Sequence, residues 1–296
     1  MATEVLFTLV MDMFALRSHR LALVAVGTLT VVTTTATTAS AATLRVTVEN
    51  LAPINGGFLT PAWVGFHDGT FDLYDRNESL DDFAGLESLV EDGDTTQLTA
   101  AFAADNPDGV QATLLSDGPP PLEPGELTSF LLDVDPATNQ YFSYASMVIP
   151  SNDAFIANGN PLAHEIFDDA GNFLGADFIV LGSEVLDGGT EVNDELPFST
   201  AFLGQQAPNT GTDENGVVTE HPGLNAGIIL GTTDSSALNL LPLNFTGSDF
   251  TAPGYQVARF RVELVDDVDV PEPGTILGLI AVGGLVAASR KRKQTA

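Results

Sequence analysis

Residues 257–265 follow a two-residue repeat. Ala258, Phe260, Val262 and Leu264 fall on one side of an extended chain, and Val257, Arg259, Arg261 and Glu263 on the other. That period belongs to a strand with one face in a core and the other in water. Residues 44–50, Leu-Arg-Val-Thr-Val-Glu-Asn, repeat it at the far end of the same region. Between them, the segments 63–67, 71–74, 127–134, 141–149, 164–167, 177–186 and 226–230 read as strands. Asp68-Gly69 and Asp169-Ala-Gly-Asn172 read as turns. Leu80, Phe83, Leu86, Leu89 and Val90 have helical spacing, ended by Gly93. Residues 98–126, rich in Ala, Asp, Gly and Pro, read as a surface excursion, and 150–161 and 204–224 as loops. Strands do not alternate with helices, so βαβ units are not expected. The pattern predicts an all-β fold, an antiparallel β-sandwich of seven to nine strands with one short helix and long loops.

The two ends of the chain are of another kind. Arg17 and Arg20 precede an apolar run at 21–32, and Ala39-Ser40-Ala41 offers a small-x-small cleavage site at Ala39 and Ala41. That order predicts an N-terminal signal peptide over residues 1–41. At the other end Val270-Pro271-Glu272-Pro273 stands before 16 residues without charge, 274–289, and then Arg290-Lys291-Arg292-Lys293. As a helix the run is about 24 Å long, against about 30 Å of hydrocarbon. Snorkelling Arg and Lys make up the difference, and the basic cluster stays cytoplasmic. This tripartite end resembles the bacterial PEP-CTERM sorting signal. The resemblance implies passage through the secretion machinery, transient anchoring by the C-terminal helix and cleavage by an exosortase. The product is then released or attached at the cell surface. The expected domains are therefore 1–41, signal peptide; 42–265, sandwich; 266–273, acidic linker and Pro-Glu-Pro motif; and 274–296, transmembrane segment and basic tail.

Charge narrows the function. The whole chain has 10 Lys and Arg against 40 Asp and Glu. Six of the ten basic residues lie in the ends, so residues 42–274 carry 38 acids, four arginines and no lysine, a net charge of −34. Nucleic-acid binding is excluded, because it needs Lys and Arg to neutralise phosphates. The absence of Cys excludes disulfides, thiolate metal sites and thiol nucleophiles. Such a surface repels itself unless salt screens it or cations bind. His67, His164 and His221 belong to no zinc motif, and no Gly-x-Ser-x-Gly elbow occurs. No enzyme is expected. The alternatives are a polysaccharide hydrolase using two carboxylates and a structural matrix protein without a ligand.

Three segments resemble the spondin N-terminal domain. The first is Val46-Thr-Val-Glu-Asn-Leu51 with Gly57-Phe-Leu-Thr-Pro61 and Trp63-Val-Gly-Phe-His67. The second is Ser146-Met-Val-Ile-Pro-Ser-Asn-Asp-Ala-Phe155, and the third runs from Leu186-Asp-Gly-Gly-Thr-Glu191 to Phe198-Ser199. The resemblance implies an eight-stranded antiparallel sandwich and a calcium ion held by loop carboxylates. It assigns Asp153, Asp187 and Glu191 to that ion, and this sequence alone adds Asp194. Ala154 replaces the family's Trp, and Glu191 its second Asp. The implied role is adhesion or extracellular-matrix contact with a surface protein or glycan. Against this stands a plainer reading, in which Asp153, Asp187 and Asp194 only make Asx-turns.

Overall fold

A computed structural model describes residues 41–265, apart from 117–119, 197, 201–203 and 225–243. The signal peptide up to Ser40 lies outside these residues, as do the strand expected at 226–230, the linker, the sorting motif at 270–273 and the basic tail at 290–293. Ala41 is described and exposed.

Among the described residues eleven strands form, all paired antiparallel: β1 (Ala42–Asn50), β2 (Phe58–Leu59), β3 (Ala62–His67), β4 (Val110–Leu114), β5 (Leu127–Val134), β6 (Tyr141–Ile149), β7 (Ala154–Ala157), β8 (Ala176–Leu181), β9 (Leu186–Asp187), β10 (Thr219–Glu220) and β11 (Gln256–Leu264). One sheet has the order β5-β1-β11-β8. The other has the order β10-β9-β7-β6-β3-β4, with β2 also on β6. The two terminal strands with the clearest repeat pair with each other, Val46 opposite Val262 and Val48 opposite Phe260. Their inward side chains meet Val64, Phe66, Phe142 and Tyr144 of the second sheet. The Tyr144 and Phe260 rings lie 4.3 Å apart across that core. In β11 a bulge after Gln256 turns both Val257 and Ala258 inward, as an extra residue in one strand does.

The seven-stranded sheet is buried on both faces. Its outer face, through Trp63, Ala145, Phe155 and Leu186, packs under a layer of helix and loop. Helix α1 (Leu86–Asp92) supplies Leu86, Leu89 and Val90, and ends at Gly93, whose φ of 69° makes the left-handed cap. Helix α2 (Thr96–Asp105) supplies Leu98 and Phe102. Phe102 meets Trp63 at 5.2 Å and Phe71 at 4.9 Å between ring centres. Burial on two faces explains why β6 reads as a nearly unbroken apolar run.

Several expectations need correction. Among the described residues eleven strands stand where eight were expected, because short two- and four-residue strands extend the second sheet. Two α-helices form among the described residues rather than one, and the region 98–126 holds most of α2, a turn at 106–109 and β4. The loop at 150–161 holds β7, and the segment 177–186 divides into β8, a single 3₁₀ turn and β9. Segments 71–74 and 164–167 are not strands: Phe71, Leu73 and Tyr74 anchor the helical layer, and 164–167 makes only isolated bridges. Among the described residues no helix is long and apolar enough to cross a membrane.

Candidate functional site

The loop before β7 is Pro150-Ser151-Asn152-Asp153, and each polar side chain in it is buried and tied to a different segment. Ser151 Oγ donates to the Val148 carbonyl at 2.6 Å and accepts from the Ala154 N–H at 3.0 Å, shaping the turn between β6 and β7. Asn152 Oδ1 accepts from the Glu195 N–H at 2.8 Å. Asp153 Oδ2 accepts from the Thr190 N–H at 2.9 Å, the Thr190 hydroxyl at 3.2 Å and the Glu191 N–H at 3.2 Å. The motif thus staples the chain after β9 onto the second sheet.

Asp153 is 0% exposed, and its Oδ1 has no hydrogen-bond partner. Burial pushes its pKa up to about 7, and the neighbouring Asp187 carboxylate adds to the rise, against three donated hydrogen bonds. Asp187 lies in β9, with Ala154 as its ladder partner. Its Oδ1 accepts from the Gly189 N–H at 2.8 Å, an Asx-turn, and its Oδ2 accepts from Asn193 Nδ2. Gly223 donates its N–H to His221 Nδ1 at 3.1 Å, so His221 carries its proton on Nε2 and donates it to Asn193 Oδ1 at 3.1 Å. Burial holds the His221 pKa down at about 4, against the pull of Asp187. His221 therefore orients Asn193, and Asn193 orients Asp187.

The other two expected ligands go elsewhere. Glu191 is buried, and its Oε1 accepts from the Gly211 N–H at 2.8 Å, while its Oε2 has no partner. A Cβ on Gly211 would meet this carboxylate at 2.0 to 2.3 Å, so a larger residue there would displace it. Glu91, at the end of α1, is also buried. Burial pushes its pKa up to about 8; the Thr190 side chain opposes the rise and Glu191 adds to it. Asp194 Oδ1 accepts from the Leu196 N–H and the Ser199 hydroxyl, each at 3.0 Å, a second Asx-turn. Of the four acids, the structure brings Asp153 and Asp187 together and sets Glu191 near Glu91, Asp92 and Asp194, the last of which also makes a turn. Among the described residues, no group of three or more His, Asp or Glu is arranged to hold a metal ion.

The donor chemistry nevertheless suits a hard cation. It is all oxygen, and two buried carboxylate oxygens, Asp153 Oδ1 and Glu191 Oε2, lack partners. Such atoms take a proton or a cation, because an isolated buried charge costs far more than either. Sequence reasoning missed Glu91, Asn193 and His221. Glu91 and His221 reach the site from distant segments, whereas Asn193 stands between the candidate ligands Glu191 and Asp194.

His67 and His164 have structural surroundings. Gly69 donates its N–H to His67 Nδ1 at 3.0 Å, so Nε2–H faces Ser143 Oγ at 2.9 Å in the core. His164 stacks on Phe178 with ring centres 3.9 Å apart. Burial lowers the pKa of both to about 4.

The PEP-CTERM protein-sorting motif family matches residues 269–293. That match lends nothing to the likeness with the spondin N-terminal domain. Comparison of the chain with curated proteins gives no match. The motif implies processing by an exosortase, and a secreted or cell-surface protein held transiently in the membrane beforehand.

Proposed function

We propose that this chain is an exported surface module for adhesion or matrix contact, and that calcium binds its loop acids at Asp153 and Asp187. One observation carries the reading: a fully buried aspartate, one oxygen unpartnered, set beside a second carboxylate. Calcium takes six to eight oxygens in flexible geometry, so two carboxylates would be completed by carbonyls, hydroxyls and water. The bound charge would offset the repulsion between the two acids and fix the loop that Asp153 already staples. An ion that binds only the folded state, at about 100 times its Kd, stabilises it by about 2.7 kcal/mol. On a body of net charge −34 a divalent cation also lowers self-repulsion.

The test is attachment of cells that export the protein, scored with calcium, with chelator, and with Asp153→Asn at the same surface level. Chelation and the variant should each abolish the protein-dependent attachment. Attachment indifferent to both would remove calcium from the function.

A further inference from the structure

Three of the four arginines between residues 42 and 274 lie on one surface, the outer face of the four-stranded sheet. The strand register puts them there. Val46 and Val48 point into the core, so their neighbours Arg45, Thr47 and Glu49 point outward. Opposite them in β11 stand Glu263, Arg261 and Arg259, and in β5 stand Leu131, Ser129 and Leu127. In β8, Asp177 and Ile179 stand opposite Arg261 and Arg259. The face is thus a ladder of arginine and acid, bordered on both sides by exposed aliphatic side chains.

Over the rows from Arg45 to Glu49 the charges cancel, three arginines against Glu49, Glu263 and Asp177, and Asp133, opposite Thr43, adds one acid at the end of the face. Arg259 makes a double contact with Asp177, 2.6 Å to each oxygen, and Arg261 lies 3.7 Å from Glu49. Arg45 and Glu263 are register partners. Along its edges Leu127, Leu131, Ile179 and Leu181 are 40 to 56% exposed. Elsewhere the body has one further arginine, Arg76, among more than thirty acids. Two copies of this molecule repel over almost every other approach, and here they do not.

We propose that this face is where a second copy of the chain docks, sheet against sheet, in a two-fold dimer. Such an interface meets itself, so the internally paired ladder of one copy lies on that of the other, and the leucine borders cover each other. The strands at its centre have nine residues, which makes the face about 30 Å by about 19 Å, on the order of 600 Å². A standard stable interface buries about 800 Å² per partner. The dimer is therefore weak and reversible, and it strengthens when salt screens the repulsion between the two acidic bodies.

The absence of cysteine makes the test specific, because each introduced thiol is the only one in the molecule. Ser129→Cys, Leu131→Cys and Ile179→Cys place thiols on the face. Ala104→Cys places one on α2, exposed on the opposite side of the fold. The full-length protein is treated with a bis-maleimide, which tolerates looser geometry than a disulfide. The face thiols should yield several-fold more covalent dimer than Ala104→Cys, and the yield should rise with NaCl. Adding Leu127→Glu to the Leu131→Cys protein should return it to the Ala104→Cys level. Face thiols that link no better than Ala104→Cys at any salt would overturn the proposal. So would links that weaken as salt rises, since they would report ionic contact between unlike surfaces.

Discussion

The Thr190 N–H donates to Asp153 Oδ2 at 2.9 Å while Asp153 Oδ1 is buried without a partner. One oxygen of this carboxylate builds the fold, and the other has no hydrogen-bond partner. The division lets two roles of the residue be separated by substitution.

Asp153→Ala removes the acceptor for the Thr190 and Glu191 N–H groups and should destabilise by about 1–3 kcal/mol. Asp153→Asn keeps one acceptor oxygen and discards the buried charge. In chelator at pH 8 it should lie within about 1 kcal/mol of the parent. Urea unfolding of both variants distinguishes these costs. Equal losses would mean that the charge itself, not the acceptor, holds the loop.

Stability should fall as pH rises from about 6.5 to 8 in the absence of divalent cations. Burial raises Asp153 to about 7 and Glu91 to about 8, so the fold keeps protons that the unfolded chain has already released. The buried histidines, lowered to about 4, are neutral in the fold throughout this window. Below about 7.5 they act increasingly the other way, because the unfolded chain then binds protons that the fold does not, so the fall is steepest above about pH 7. A thermal midpoint that rises between pH 6.5 and 8 in chelator would contradict this assignment.

Phe102→Ala should cost about 3–5 kcal/mol. The ring is fully buried and touches Trp63 and Phe71, and it is one of two large apolar anchors of α2. Chemical denaturation measures the loss. A cost under about 1 kcal/mol would show that α2 adds little to the helical layer.

Asn193→Ala should weaken calcium binding by roughly 10- to 100-fold with little change in overall fold, as loss of an orienting partner does. It removes the side chain that links His221 to Asp187. Calcium titration of the variant checks this, and unchanged affinity would show that Asp187 needs no such support.

The strands that alternate were legible, because β1, β5 and β11 have one face in the core and one in water. Helix α2 was not. Its apolar anchors are only Leu98 and Phe102, and the rest is largely alanine, a strong helix former that also reads as bland loop. Segment 71–74 alternates Phe, Asp, Leu and Tyr as a strand would, yet among the described residues no strand pairs with it and its apolar side chains plug the helical layer. At the site, Asp153 and Asp187 were visible as acids at the ends of short motifs. That the Glu191 carboxylate turns to Gly211 and lies near Glu91 was not, because Gly211 and Glu91 approach from other parts of the chain.

Calorimetric titration of the protein with calcium, at low and high NaCl, tests the central claim most directly. The account predicts one saturable site, retained at high salt and lost in Asp153→Asn. Weak binding at many sites that fades as salt rises, and is the same in Asp153→Asn, would contradict it.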